Sequence, residues 1–386
     1  MVTRGLRPMR GSGVWLGLLT VFVLVCMGAA AVLLVGWLTE ASGVVGFLAG
    51  LSLALVPVAP VLAALMWLDR YEPEPAGLLA FCFAWGATVA AAVAVVFNTV
   101  AAQALTAAGT DGLTTTATVI APVVEEAAKG ILLVALLWWR RDEIDGIVDG
   151  IVLGATIALG FAFTENVLYF GQAFLLGREG ETGQQFFALG LTFVLRGVLG
   201  PFAHPLFTAC TGLGIGIAAG SRSRSVRVVA PALGYLAAVV LHAMWNVAAI
   251  AGLAGFFSAY LLFMVPVFTV AVLVAVLARR RERALIARHL PVYVEAGWLA
   301  PGEVATLACL PARRAARALA AQLGGSGAAA AVRDYQRVAT ELAFLRARAE
   351  RRGSPAGLRA HEVALLQQLA AARARLPAAP RYPLAG

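Results

Sequence analysis

Apolar residues in this chain come in long unbroken runs. A run of about 20 residues crosses roughly 30 Å of hydrocarbon at 1.5 Å per residue. Eight such runs are legible, at approximately 14–38, 44–67, 76–106, 116–139, 147–176, 186–219, 227–254 and 258–278. The third and sixth are longer than a straight crossing needs and are expected to tilt, kink or break. The first follows Arg4, Arg7 and Arg10, and its apolar stretch continues to Leu38, longer than a signal-peptide core; it reads as an uncleaved anchor. Beyond 279 the pattern changes to Ala, Arg and Leu, with helical periodicity over 331–352 and 358–376 and a break at Gly353, Ser354 and Pro355. The expected architecture is all-α: a polytopic membrane bundle of about eight transmembrane helices over 1–278, then a basic, partly helical cytoplasmic tail over 279–386.

Composition sharpens this. With 61% hydrophobic and 13% charged residues, the chain is too apolar for a soluble globule, in which about a quarter of residues are charged. From Arg279 onward 18 Arg face 7 acids, so the tail carries +11 of the formal +9 and the remainder is slightly acidic. Such a tail suits either helices lying against an anionic inner leaflet or a solvated extension. Arginine also sets orientation: loops on the N-terminal side carry thirteen and the opposite loops only Arg178. By the positive-inside rule both termini are cytoplasmic. Cys26, Cys82, Cys210 and Cys309 have no paired spacing and read as small apolar fillers.

Ionisable side chains at membrane depth are costly and face a partner or a cavity. The fourth run carries Glu125, Glu126 and Lys129, the only lysine; the fifth carries Glu165, Asn166 and Tyr169; the sixth Arg196 and His204; the seventh His242 and Asn246. Glu125 and Lys129 share a helix face at i,i+4, as do Glu165 with Tyr169 and His242 with Asn246, while Glu126 sits about 100° around. Helix rise places Glu125, Glu165 and His242 roughly 15 to 18 Å below the outer surface. One polar chamber at mid-depth is the economical reading; isolated polar contacts that join helices are the plain alternative.

Carboxylates beside imidazoles and an amide supply the parts for water activation and oxyanion stabilisation. Glu125 or Glu126, held ionised by Lys129, is the candidate base, and His242 with Asn246 the candidate oxyanion donors. No serine or cysteine sits at a nucleophile position beside a histidine, and no GxGD aspartate pair occurs in a span, so covalent and aspartyl mechanisms lose support. The Glu and His set also suits Zn²⁺ by donor type, although no HExxH occurs.

These residues carry a resemblance. Asp69-Arg70-Tyr71-Glu72-Pro73-Glu74-Pro75, Glu125-Glu126-Ala127-Ala128-Lys129 (EExxK), Asp145-Gly146-Ile147-Val148-Asp149-Gly150, Gly160-Phe161-Ala162-Phe163-Thr164-Glu165-Asn166 (FxxxE), His204-Pro205-Leu206-Phe207-Thr208 and His242-Ala243-Met244-Trp245-Asn246 (HxxxN) follow in order over roughly 60–280. The ordered set resembles the PrsW family of polytopic membrane proteases, distantly related to the type II CAAX prenyl endopeptidases and their bacterial relatives. The resemblance implies peptide-bond hydrolysis in or next to the membrane, on a membrane-anchored protein such as an anti-sigma factor. It leaves open whether the mechanism is glutamate-only or metal-assisted. Where the prenyl endopeptidases have His four residues after the Phe, this chain has Glu165, so a water-activating pair cannot be copied across.

The roles expected are therefore Glu125 as general base, Glu126 and Lys129 as its support, His204 for water positioning, and His242 with Asn246 for the oxyanion. Glu165 is required without an assigned role. No cofactor is required in this scheme; if zinc is held, Glu165, His204 and His242 are the expected ligands. Partners are the membrane-anchored substrate and an anionic lipid surface for the tail, with no nucleic acid. A proton-coupled transporter would use the same Glu/His cluster, but the two similar halves of such folds are not visible.

Overall fold

The structure is a computed structural model and describes residues 13–139, 144, 146–178, 182–352 and 356–376. All its regular elements are helices. It divides into two compact units, Met1–Leu68 with Glu74–Val272, and Asp69–Pro73 with Leu273–Gly386.

The first unit opens with α1 (Gly13–Leu68), which holds two of the predicted runs. It breaks at Gly43, whose φ of 62° favours glycine. Below the break Leu34 clusters with Phe161, and Leu38 with Val167 and Phe170; above it Gly46 abuts Gly171, Gly50 abuts Val167, and Leu65 joins Ala155 and Leu159. The chain thus climbs one neighbouring helix and returns along it.

That neighbour is α6 (Ile147–Arg178), the most enclosed helix of the unit. Around it stand α2 (Ala76–Trp85) and α3 (Ala91–Ala107), joined by the π-helical turn Gly86–Ala90. The short α4 (Gly112–Thr115) leads through a second π-helical turn, Thr116–Ile120, into α5 (Ala121–Trp139). Then come α7 (Thr182–Phe193) with its π-helical turn Val194–Leu199, α8 (Ala203–Gly220), α9 (Arg224–Ile250) and α10 (Gly252–Ala259). The long sixth run does break, at 200–202, where Gly200 and Pro201 interrupt the backbone between the third π-helical turn and α8. Such turns concentrate at functional sites. Two of them lead directly into the polar cluster described below.

Small residues set the spacing. A Cβ added at Gly150 would collide with the backbone of Gly212, and one at Gly212 with that of Gly150. Backbone-to-backbone approach of this kind is how membrane helices gain contact where lipid offers no hydrophobic drive.

Six of the described helical segments are long and apolar enough to cross a membrane, rather than eight. The difference has two physical sources. The first two runs form one helical segment folded at Gly43, and α5, with Glu125, Glu126 and Lys129, is too charged to qualify on composition. The described residues make an all-α polytopic membrane protein.

In the second unit the tail packs a hydrophobic core of its own. The C-terminal part of α11 (Val265–His289), with α12 (Pro291–Glu295), α13 (Pro301–Ala308), α14 (Leu310–Arg352, broken at Gly324 and Gly325) and α15 (Ala356–Ala374), packs around Leu290, Leu307, Tyr335, Leu342, Leu345 and Leu369. Tyr71 from the Asp69–Pro73 loop belongs to this core; its hydroxyl donates to the Ala308 carbonyl at 3.0 Å. Arg313 is buried beside it, donating to the carbonyls of Leu307 (2.7 Å) and Tyr71 (3.5 Å) and to the Thr340 hydroxyl. Burial lowers the Arg313 pKa to about 10. Arg373 ties α13, α14 and α15 together through Glu303, Tyr335 and the Trp298 carbonyl. The break expected at Gly353, Ser354 and Pro355 falls outside the described residues, as do Arg4, Arg7, Arg10, Arg140 and Arg141.

Candidate active site

On α5 the buried face runs Glu125, Glu126, Lys129, Gly130, Leu132, Leu133 and Leu136, while Ile131, Trp138 and Trp139 are exposed. In lipid this polarity is the favourable one: the charges cost least where other helices supply partners.

Glu126 and Lys129 are fully buried, with their ion pair at 2.7 Å. The Glu126 carboxylate also accepts from Thr208 of α8 at 2.7 Å and meets His242 Nδ1 of α9 at 3.0 Å. Lys129 Nζ lies 3.9 Å from the Phe161 ring centroid and 3.4 Å from His204 Nδ1. The close ion pair is thus i,i+3, where sequence spacing pointed to Glu125; Glu125 Oε2 stands farther from Lys129, at 3.8 Å.

Glu125 is held differently. Asn98 of α3 donates to its Oε1 at 3.0 Å, whereas its Oε2, 3.7 Å from His242 Nε2, has no hydrogen-bond partner among the described residues. Glu165 of α6 forms a second centre: its Oε2 accepts from Arg196 at 2.7 Å and lies 2.8 Å from His204 Nε2. Arg196 comes from the π-helical turn before α8, also donates to Asn166 (2.9 Å), and covers the Tyr169 ring at 3.9 Å. The two histidine rings meet edge to face at 4.9 Å. Among the described residues, Glu125, Glu165, His204, Arg196 and Asn246 line a cavity of about 850 Å³. Glu126, Lys129 and His242 form the layer behind its wall.

Asn246 donates to the Ala117 carbonyl, in the π-helical turn ahead of α5, at 2.8 Å. An amide has two N–H donors, so one holds the turn ahead of α5 and the second is left over on a residue that lines the cavity. Asn98 and Thr208 are the partners that sequence reasoning missed. Thr208 stood four residues after His204 in a quoted motif; Asn98 gave no signal beyond an amide in an apolar run. Asp145 lies outside the described residues, and Asp149 accepts from the Gly146 amide at 2.9 Å, capping α6.

A metal ion can be tested against this arrangement. The atoms brought together are one each from Glu125, His204 and His242, all within 4.8 Å of one another, where the sequence had suggested Glu165, His204 and His242. Glu165 instead turns its Oε2 to Arg196 and His204. Each histidine has a ring nitrogen against a carboxylate, His242 on Glu126 and His204 on Glu165. This is the outer support that metal-binding imidazoles use. With the unpartnered Glu125 oxygen, the donor types suit a zinc-like ion, while His204 Nδ1 also faces the Lys129 ammonium at 3.4 Å.

Comparison with known proteins bears on the family. A protein described as "Protease PrsW", from Geobacillus kaustophilus, is 29% identical over 168 residues, covering 43% of this chain and 66% of that protein, so the chain spans just under two thirds of that relative. No solved structure matches. The family model for the PrsW family intramembrane metalloprotease matches residues 74–272, just over half of the chain, and ends where the first compact unit ends. The chain belongs to the PrsW family.

Proposed function

We propose that the chain is an intramembrane endopeptidase that hydrolyses a peptide bond of a membrane-anchored protein, of the kind exemplified by an anti-sigma factor. One observation carries the reading: a buried carboxylate oxygen, Glu125 Oε2, without a hydrogen-bond partner among the described residues, on a residue that lines a large cavity.

In this reading Glu125 takes a proton from a water in the cavity as the water oxygen bonds to the substrate carbonyl carbon. The carbonyl becomes a tetrahedral oxyanion, and Glu125 returns the proton to the leaving amide nitrogen as the C–N bond breaks. The second N–H of Asn246, which lines the cavity, is the amide donor offered to that oxyanion. Lys129 and Glu126 neutralise each other, so Glu125 works beside a balanced pair, and Asn98 fixes its other oxygen. Arg196 holds Glu165, which orients His204. Zinc, where bound, would be held by Glu125, His204 and His242 and would supply an activated water. The arginine distribution supports both termini in the cytoplasm of a bacterial inner membrane. Reporters after Arg141 and in the 177–185 loop should read inside and outside respectively.

The test is purified protein incubated with single-span membrane proteins and read by mass spectrometry, with and without a chelator. Glu125→Gln is expected to lower turnover by at least about 10²-fold while substrate still binds. Turnover that survives chelation supports the base role of Glu125; loss that added zinc restores supports the ligand role. Unchanged turnover of Glu125→Gln overturns both.

A further inference from the structure

The second unit contains a basic cluster that the membrane chemistry does not use. Arg317 of α14 is half-buried, and the charges acting on it are the guanidinium groups of Arg333, Arg314 and Arg70. Burial first, and then these three guanidinium groups, lower its pKa. Arg279 completes the group, with Arg70 and Arg314 near it and with Glu282 as the acid of its own helix. Among the described residues no ion pair or hydrogen bond engages Arg70, Arg314, Arg317 or Arg333. Of the tail's acids, Glu303 turns to Arg373, Asp334 to Arg375, Glu341 to Arg337, Glu350 to His289 and Glu362 to Arg346, while Glu282 lies by Arg279.

Gathering like charges costs free energy that an anion would recover. Two members also have a fixed address along the chain. Arg70 is two residues past Leu68, the last residue of α1, and Arg279 directly follows the apolar stretch that ends at Ala278. Each therefore stands where a membrane helix leaves the hydrocarbon, at the level of lipid headgroups.

We infer that Arg70, Arg279, Arg314, Arg317 and Arg333 form a binding site for the phosphate of an anionic phospholipid headgroup, built jointly by the Asp69–Pro73 loop, α11 and both arms of α14. The site is independent of the proteolytic reading.

The experiment uses the full chain, purified in neutral detergent and stripped of lipid. Native mass spectrometry follows titration with phosphatidylglycerol, phosphatidylcholine and inorganic phosphate. Phosphatidylglycerol should bind at least tenfold more tightly than phosphatidylcholine, and more tightly than phosphate alone. Each arginine near an anionic surface contributes about fivefold, so Arg314→Gln with Arg333→Gln, both exposed residues, should weaken phosphatidylglycerol about 30-fold. Arg288→Gln with Arg359→Gln removes equal charge elsewhere and should change affinity less than twofold. Arg314→Lys with Arg333→Lys should stay within a few-fold of wild type, which separates charge from folding. Equal losses in the two glutamine pairs, or no loss in the first, would overturn the site. Inorganic phosphate binding as tightly as the lipid, or a short DNA duplex displacing it, would overturn the lipid assignment.

Discussion

The two units solve opposite burial problems with one set of rules. In the membrane unit the outside is apolar and the interior holds charge: Phe22, Val32 and Leu262 are exposed, and Glu126, Lys129 and His242 are buried. In the second unit Leu342, Ala343 and Leu369 are buried and the arginines lie mostly outside. Hydrophobic burial drives the second core. In the first unit lipid is as apolar as the interior, so close backbone approach and polar satisfaction hold the helices together. A polarity pattern therefore has meaning only relative to the solvent around each unit.

The strongest way to break this comparison is to remove the cation from the membrane core. Lys129→Met leaves Glu126 buried and uncompensated, a change expected to destabilise by about 3–5 kcal/mol. Thermal unfolding in detergent should show it, and Glu126→Gln added to Lys129→Met should recover most of the loss. A single variant as stable as wild type would mean that charge pairing does not organise this interior.

In the second unit the matching probe is apolar. Leu342→Ala should cost about 2–5 kcal/mol through lost transfer energy and the cavity left behind, read from the unfolding of that unit by hydrogen exchange. The smallest effect sharpens the boundary between the units: Tyr71→Phe removes one hydrogen bond inside the second core and should cost about 0.5–1.5 kcal/mol. Hydrogen exchange of α13 should report it, because Ala308 loses its donor.

Much of the membrane unit was legible before any coordinates, since lipid demands long apolar runs and punishes stray charge. The spacing of EExxK put Glu125 and Lys129 on one face of α5, and the structure buries Glu126 beside them. It pointed to Glu125 as the partner of Lys129, because Thr208 and His242, which engage Glu126 beside the pair, come from other helices. Arg196 was given no role for a similar reason: its partners, Asn166 and Glu165, lie 30 and 31 residues away on α6. The tail's core went unseen because its apolar residues are spread over several short helices and interleaved with alanines such as Ala339, Ala343 and Ala372, which gives weak periodicity among long arginine side chains.

The Tyr71 anchor has a consequence for biogenesis. Its acceptor Ala308 lies 237 residues further along the chain, so at about 5–20 residues per second the tyrosine is made roughly 12 to 50 s before its partner exists. Every intervening membrane helix must be synthesised in that interval. Closure of the second unit around Tyr71 is therefore a terminal event of assembly, and a ribosome stalled anywhere in α5 to α11 leaves an aromatic ring uncovered for quality control to find.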